Sequence, residues 1–126
     1  MRIKAFFAVG LAAFFACASG PVEIPPDMPP NKIIQSAQEA SDNNKYRVAI
    51  QYYEALLERY GAVPEYLATA EYEIAFIHYK DKKYVQAREE FNMLLDRYES
   101  SQAGAYPPKF KILSDIVLAR IESLGY

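Results

Sequence analysis

The sequence has 126 residues, a formal net charge of −2, 52% hydrophobic residues and five glycines. This length favours one domain, and the composition is typical of a globular chain rather than a disordered one. A mildly acidic chain lacks the basic surface that nucleic-acid binding requires, so we expect no nucleic-acid partner. The single cysteine, Cys17, excludes an internal disulfide and provides no cysteine pair for a zinc site.

The N-terminus has the pattern of an export signal. Arg2 and Lys4 are followed by an uncharged run from Ala5 to Ala16. That run is shorter than the roughly 20 residues that a membrane-spanning helix needs. A basic start, a short apolar run and small residues after it are typical of a secretory signal, which we assign to residues 1–16.

Cys17 stands where the apolar run ends. The sequence Phe14-Phe15-Ala16-Cys17 resembles a bacterial lipoprotein signal, in which this cysteine becomes lipidated. The alternative is ordinary cleavage after Ala18, because Ala16-Cys17-Ala18 also fits an Ala-x-Ala site. Lipidation is favoured because the one cysteine of the chain falls at the position where it would be used. Its acyl chains would anchor the protein to a membrane that faces the periplasm, with the outer membrane favoured.

The segment after the cysteine, residues 17–30, is rich in proline. Proline fixes φ and disfavours helix in the residue before it. We therefore predict an extended tether that holds the folded part, residues 31–126, away from the membrane surface.

The remaining chain predicts five helices. Apolar residues recur at three- and four-residue spacings throughout, and no stretch alternates as a strand would, so the fold class is all-α. Asn31 is expected to cap the first helix, Gly61 to end the second in a left-handed conformation, and Gly125 to end the fifth. The predicted helices cover 32–41, 45–60, 64–80, 84–98 and 107–124.

Part of this pattern occurs twice. The residues from Tyr46 to Tyr60 recur from Tyr84 to Tyr98, at a constant separation of 38 positions, and both copies end in Leu-Leu-acid-Arg-Tyr. A fixed offset of this size is the signature of a stacked structural repeat. We therefore predict repeat one over 31–60, repeat two over 64–98 and a capping helix over 107–124.

The repeats resemble the tetratricopeptide repeat, although that family has a period of 34. The resemblance implies antiparallel helical hairpins stacked as a short right-handed solenoid. It also implies small and aromatic residues at the helix contacts, and these are Ala37, Ala49, Tyr53, Ala75, Ala87 and Phe91. Within that family, the export signal and the Leu-Leu-acid-Arg-Tyr endings look most like the BamD/YfiO-type outer-membrane assembly lipoproteins.

The resemblance implies a lipid-anchored adaptor that binds a protein or peptide in the cell envelope, through a groove lined by the first helix of each hairpin. Carried over by position, the groove residues are Ile34, Gln38, Ser41, Tyr72, Phe76, Tyr79, Lys80, Phe110 and Ser114. The alternative for Phe76 and Tyr79 is packing against a neighbouring helix. The alternative function is a structural subunit of a homo-oligomer or larger complex, in which the groove is permanently buried.

Residues for catalysis are sparse. His78 is the single histidine, so no second histidine or spare cysteine completes a nucleophile–base pair. We expect His78 to be structural and Glu89-Glu90 to lie on a solvated helix face. No phosphate-binding loop or metal-ligand spacing is present, and we expect neither enzymatic activity nor a cofactor.

Overall fold

The computed structural model describes residues 20–126, so the predicted signal segment and Cys17 lie outside the described residues. The described chain forms five helices and no strand, which confirms the all-α prediction. In order, they are α1 (Pro30–Asp42), α2 (Tyr46–Tyr60), α3 (Pro64–Lys80), α4 (Tyr84–Ser100) and α5 (Pro108–Ser123).

The helices pack as two hairpins and a closing helix. α1 packs against α2 in the first hairpin, and α3 packs against α4 in the second. The two hairpins contact each other through α2 and α3. α5 packs against α3 and α4. Each hairpin surrounds its own apolar cluster, and Tyr53 and Phe91 are the largest fully buried side chains of the two. This arrangement is that of a short tetratricopeptide-like helical repeat.

The two hairpin turns have the same backbone geometry. Asn44 and Lys82, which are 38 positions apart, have φ values of 58° and 60°. The N–H of Lys45 donates to the carbonyl of Ala40 at 2.8 Å, and the N–H of Lys83 donates to that of His78 at 2.9 Å. A left-handed residue with a six-to-one hydrogen bond is the Schellman ending of a helix. The repeat is therefore present in the backbone conformation of the turns as well as in the side-chain pattern.

The residues expected at the helix contacts all lie in the interior. Ala37, Ala49, Ala75 and Ala87 are fully buried, as are the two aromatic residues Tyr53 and Phe91. An alanine places little more than a methyl group between two helix backbones, so the axes can approach closely. The aromatic ring four residues further along α2 or α4 lies one turn away on the same face and fills the next layer.

Two predicted helix ends differ from the structure. α1 begins at Pro30 with Pro29 as its N-cap, so Asn31 is not the cap; a proline fits the first turn because its fixed φ suits the helix. Gly61 has a right-handed φ of −66°, not a left-handed one. A glycine is needed there because a Cβ would lie 2.3 Å from the carbonyl oxygen of Leu57. Gly125, with a φ of 91°, ends α5 as predicted.

The proline-rich segment is hydrogen-bonded to the folded part from Val22 onward. The N–H of Val22 donates to Gln51 at 2.7 Å. Arg59 donates to the carbonyls of Pro25 at 2.6 Å and Ile24 at 3.0 Å. The Tyr60 hydroxyl also donates to the Met28 carbonyl at 3.0 Å. Carbonyls in a segment without regular structure need external donors, and α2 supplies them.

The hydroxyl of Tyr53 generates a stability prediction. It is buried and has no hydrogen-bond partner among the described residues, and the equivalent residue of the second hairpin is Phe91. An unsatisfied buried hydroxyl costs about 1–3 kcal/mol. We therefore expect Tyr53→Phe to raise the free energy of unfolding by about 1 kcal/mol in a urea titration. Tyr52→Phe, at a half-exposed site on the same helix, is the control; a less stable Tyr53→Phe would contradict this account.

A second prediction concerns the close contact between α3 and α4. Ala87 is fully buried, so Ala87→Leu forces extra methyl groups into a packed contact. We expect a loss of about 1–3 kcal/mol in the free energy of unfolding. Val85→Leu, two residues away and exposed, is the matched control and should change stability by less than about 0.5 kcal/mol. An unchanged melting temperature for Ala87→Leu would refute the assignment of Ala87 to this contact.

Candidate protein-binding surface

The structure divides the predicted groove residues into two groups. Tyr72 and Phe110 are 6% and 4% exposed and lie in the apolar cluster between α3, α4 and α5. Their ring centroids are 5.3 Å apart, and that of Tyr72 is 5.6 Å from that of Phe91. Ser41 and Ser114 are also buried. These four side chains do not line an open groove, because α5 and the neighbouring helices cover them.

The other predicted groove residues remain accessible to solvent. Gln38 is exposed, and Ile34, Phe76, Tyr79 and Lys80 are half-buried. Phe76 stacks on Tyr72 and on Tyr79, with centroid separations of 5.8 Å in both pairs. Phe76 and Tyr79 thus pack against the core with one face and remain partly open on the other, so the groove and packing interpretations both describe part of their surface.

The stacked rings of Tyr72, Phe76 and Tyr79 form an aromatic row that continues beyond the predicted residues. The ring of Tyr84 lies 5.7 Å from that of Tyr79, and the ring of Tyr126 lies 5.0 Å from that of Tyr84. Tyr84 stands 38 positions after Tyr46, so the repeat identified it as the first residue of a helix but did not indicate this contact. Tyr126 lies beyond every predicted helix, and no sequence signal pointed to it.

Lys80 connects the two hairpins at this surface. Its ammonium donates to the Ser41 hydroxyl, and it lies 5.4 Å and 5.5 Å from the ring centroids of Tyr46 and Phe76. Such cation–π distances favour a fixed position for the ammonium group. The lysine therefore serves both as a link between α1 and α3 and as a partly exposed positive charge.

Glu73 is an acidic group of this region that the sequence analysis missed. Burial raises the pKa of its carboxyl group above the usual value, the charge of Lys80 opposes the rise, and that of Asp42 adds to it. Burial, with a contribution from Glu73, also raises the pKa of Tyr72 to about 12. A half-buried carboxyl beside a lysine and an aromatic row provides charge and apolar area together, which suits recognition of a peptide or helix.

Two polar contacts fix the α3–α4 hairpin beside this surface. His78 Nδ1 lies 2.7 Å from Glu90 Oε2, so Glu90 is not simply part of a solvated face as expected. Arg97 donates to both carboxylate oxygens of Glu71, with its shortest contacts at 2.8 Å. Such a bidentate contact fixes the relative orientation of the two side chains better than a single hydrogen bond does. His78 is therefore held in place by its contact with Glu90.

The described residues contain no group of three or more histidine, cysteine or acidic side chains that could hold a metal ion. Within residues 20–126, no helix has both the length and the apolar character needed to cross a membrane.

The raised pKa of Glu73 predicts a pH dependence. Because the folded chain binds this proton more tightly than the unfolded chain, the charged carboxyl lowers stability as pH rises above the ordinary glutamate value. We expect Glu73→Gln to be more stable than the wild type at pH 7, and this difference to shrink at a pH below 4. Glu89→Gln, on an exposed site, is the control in thermal melts at both pH values. A difference that does not change with pH would contradict the prediction.

Comparison with known proteins places the chain in a family. Residues 26–116 match the family described as "YfiO: Outer membrane lipoprotein". A protein of Treponema pallidum (strain Nichols) described as uncharacterized is 30% identical over 124 residues, which cover 97% of this chain and 50% of the relative. The chain thus spans about half the length of this curated relative. No solved structure matches. On the extent of the family match, the chain belongs to the YfiO family of outer membrane lipoproteins.

Proposed function

We propose that this protein is an outer-membrane adaptor, anchored by a lipid on Cys17, that binds another envelope protein and takes part in outer-membrane protein assembly. Membership of an outer membrane lipoprotein family is the observation that carries the proposal. Cys17 stands at the end of the apolar run, and this position supports it as the site of lipid attachment.

The accessible surface formed by Gln38, Glu73, Phe76, Tyr79 and Lys80 is the proposed binding surface. It joins the two hairpins through Lys80, so a bound segment would contact both repeats at once. Partly exposed aromatic rings provide large contact areas with few rotatable bonds, which suits a binding hot spot. The adjacent charges of Glu73 and Lys80 would fix the orientation of the bound segment.

A structural subunit of a larger complex is the second candidate. It is favoured by exposed apolar side chains on α5, where Ile112 and Ile116 are each 60% exposed. Neighbouring apolar side chains left in water on one helix mark a surface that a protein partner covers. Sedimentation velocity over a range of concentrations separates the two candidates. A monomer favours the adaptor, and an obligate oligomer favours the subunit.

Lipid attachment is tested by metabolic labelling with palmitate. We expect the wild-type chain to be labelled and to fractionate with the outer membrane, because two or more acyl chains anchor a protein stably. Cys17→Ala should lose the label and leave the membrane fraction. Cys17→Ser provides the matched control for side-chain size and should behave in the same way. Label that persists in either variant would overturn lipidation at Cys17.

Partner binding is tested by crosslinking in native membranes. We expect the double variant Phe76→Ala with Lys80→Glu to lose the crosslinked partner that the wild type captures, because it removes an aromatic contact and reverses a charge. Arg88→Glu, on an exposed part of α4, should retain it. Circular dichroism of each variant checks folding. An unchanged crosslinking pattern in a folded double variant would place the binding surface elsewhere.

A further inference from the structure

Glu73 is a half-buried acidic residue whose carboxylate has no ion-pair partner among residues 20–126. Within the same residues, no side-chain hydrogen bond involves it either. The three other glutamates that are paired with a basic side chain, Glu71, Glu90 and Glu99, show that this chain supplies such partners elsewhere. A carboxylate that is taken partly out of water without a partner loses hydration that nothing replaces. Glu73 is therefore free to bind a cation from outside.

The two lysines whose charges act on Glu73 are bound to other groups. Lys80 and Lys109 both lower the pKa of the Glu73 carboxyl group, so they lie near it, although burial outweighs them and leaves the pKa raised. The Lys80 ammonium donates to the Ser41 hydroxyl. The Lys109 ammonium lies 4.6 Å from the ring centroid of Phe110. The chain's own nearby cations are thus held at other positions and leave the carboxylate unpaired.

A second unpaired carboxylate lies close to Glu73. Asp42, the exposed last residue of α1, raises the pKa of the Glu73 carboxyl group by its negative charge. Burial and then the charges of Glu73 and Asp42 raise the pKa of the Tyr53 hydroxyl on α2, so both carboxylates lie near this one hydroxyl. Like charges that lie close together without a cation repel each other. A bound cation would relieve this repulsion between α1 and α3.

An aromatic ring stands beside the carboxylate on the same face of α3. Glu73, Phe76 and Lys80 follow one another at spacings of three and four residues, so they share one stripe of the helix. Phe76 is half-buried, and its centroid lies 5.8 Å from those of Tyr72 and Tyr79, which hold it in place. A guanidinium group stacks on aromatic rings and donates two parallel hydrogen bonds to a carboxylate, whereas an ammonium group acts as a point charge. The pair of Glu73 and Phe76 therefore fits arginine better than lysine.

We propose that Glu73 binds the guanidinium group of an arginine in the partner protein, and that this arginine side chain lies along the ring of Phe76. The ligand is then a segment of another envelope protein in which an arginine stands next to apolar residues. The inference rests on the proposed adaptor function, because it names the group that the proposed binding surface recognises. Charge complementarity selects this occupant, since the bound arginine supplies the hydrogen bonds that the carboxylate lacks.

The test uses the full chain in detergent and two fluorescent peptides that differ at one side chain. The first peptide has the sequence Gly-Ser-Phe-Arg-Phe-Ser-Gly, and the second has citrulline, an uncharged residue of nearly the same shape, in place of arginine. Fluorescence anisotropy should show saturable binding of the arginine peptide and at least about tenfold weaker binding of the citrulline peptide. Glu73→Gln should weaken binding of the arginine peptide by about tenfold and leave that of the citrulline peptide within about twofold, as expected for two groups that interact directly.

The matched control is Glu89→Gln, which removes a carboxylate from an exposed position of α4 and should leave both affinities within about twofold. Because Glu73→Gln is expected to be more stable than the wild type at pH 7, a loss of binding in that variant does not come from unfolding. Thermal melts of each variant check this. Absence of saturable binding, or equal affinity of the wild type for the two peptides, would overturn the inference.

Crosslinking in native membranes separates this inference from the proposed adaptor function. Glu73→Gln should lose the partner that the wild type captures. If it retains a partner that the double variant Phe76→Ala with Lys80→Glu loses, the adaptor surface stands and the role of Glu73 is overturned. A photo-crosslinking residue in place of the exposed Gln38 should also capture a different protein. A crosslink from that position to a segment of the same chain would overturn the inference, because the surface would then be filled from within.

Discussion

Close approach of helix backbones at buried alanines is the constraint on which the rest of this structure depends. Ala37, Ala49, Ala75 and Ala87 have no exposed surface, and each lies in the contact within a hairpin. Larger side chains there would push the axes apart and move every layer that follows. The aromatic residues Tyr53 and Phe91 then occupy the space one turn away. The turn geometry agrees with this packing, since both hairpins end their first helix in the same left-handed conformation.

The two repeats have the same scaffold but use its surface differently. Arg59 and Arg97 occupy equivalent positions, yet Arg59 binds backbone carbonyls of the N-terminal segment and Arg97 binds Glu71. Tyr60 and Tyr98 are also equivalent, and each donates to a carbonyl ahead of a helix, that of Met28 or of Pro107. The shared Leu-Leu-acid-Arg-Tyr ending therefore supplies donors to whichever segment lies beside it. The two repeats therefore share the arginine and tyrosine donors, while the groups that accept their hydrogen bonds differ.

Much of the fold could be predicted because it follows from short-range patterns. Helix spacing and the turn residues each act over a few turns, and together with the 38-residue offset they identified all five helices. The site was harder to predict. Tyr72 and Phe110 carry the residue types of a groove, but whether α5 covers them depends on contacts between helices that are distant in sequence. Glu73 was missed for the same reason, since its raised pKa arises first from burial between helices and also from the charge of Asp42 on α1.

The docking of the N-terminal segment determines how far the folded body can extend from an anchoring lipid. Hydrogen bonds hold the chain to α2 from Val22 onward, so four residues lie between the proposed attachment at Cys17 and the first fixed point. The five Cα–Cα steps from Cys17 to Val22 span at most about 18 Å, even when fully extended. The N-terminal end of α2 would therefore stay near the lipid headgroups, while α5 lies at the other end of the stack. With a lipid on Cys17, this short connection would give the folded part a defined orientation, with α5 directed away from the membrane.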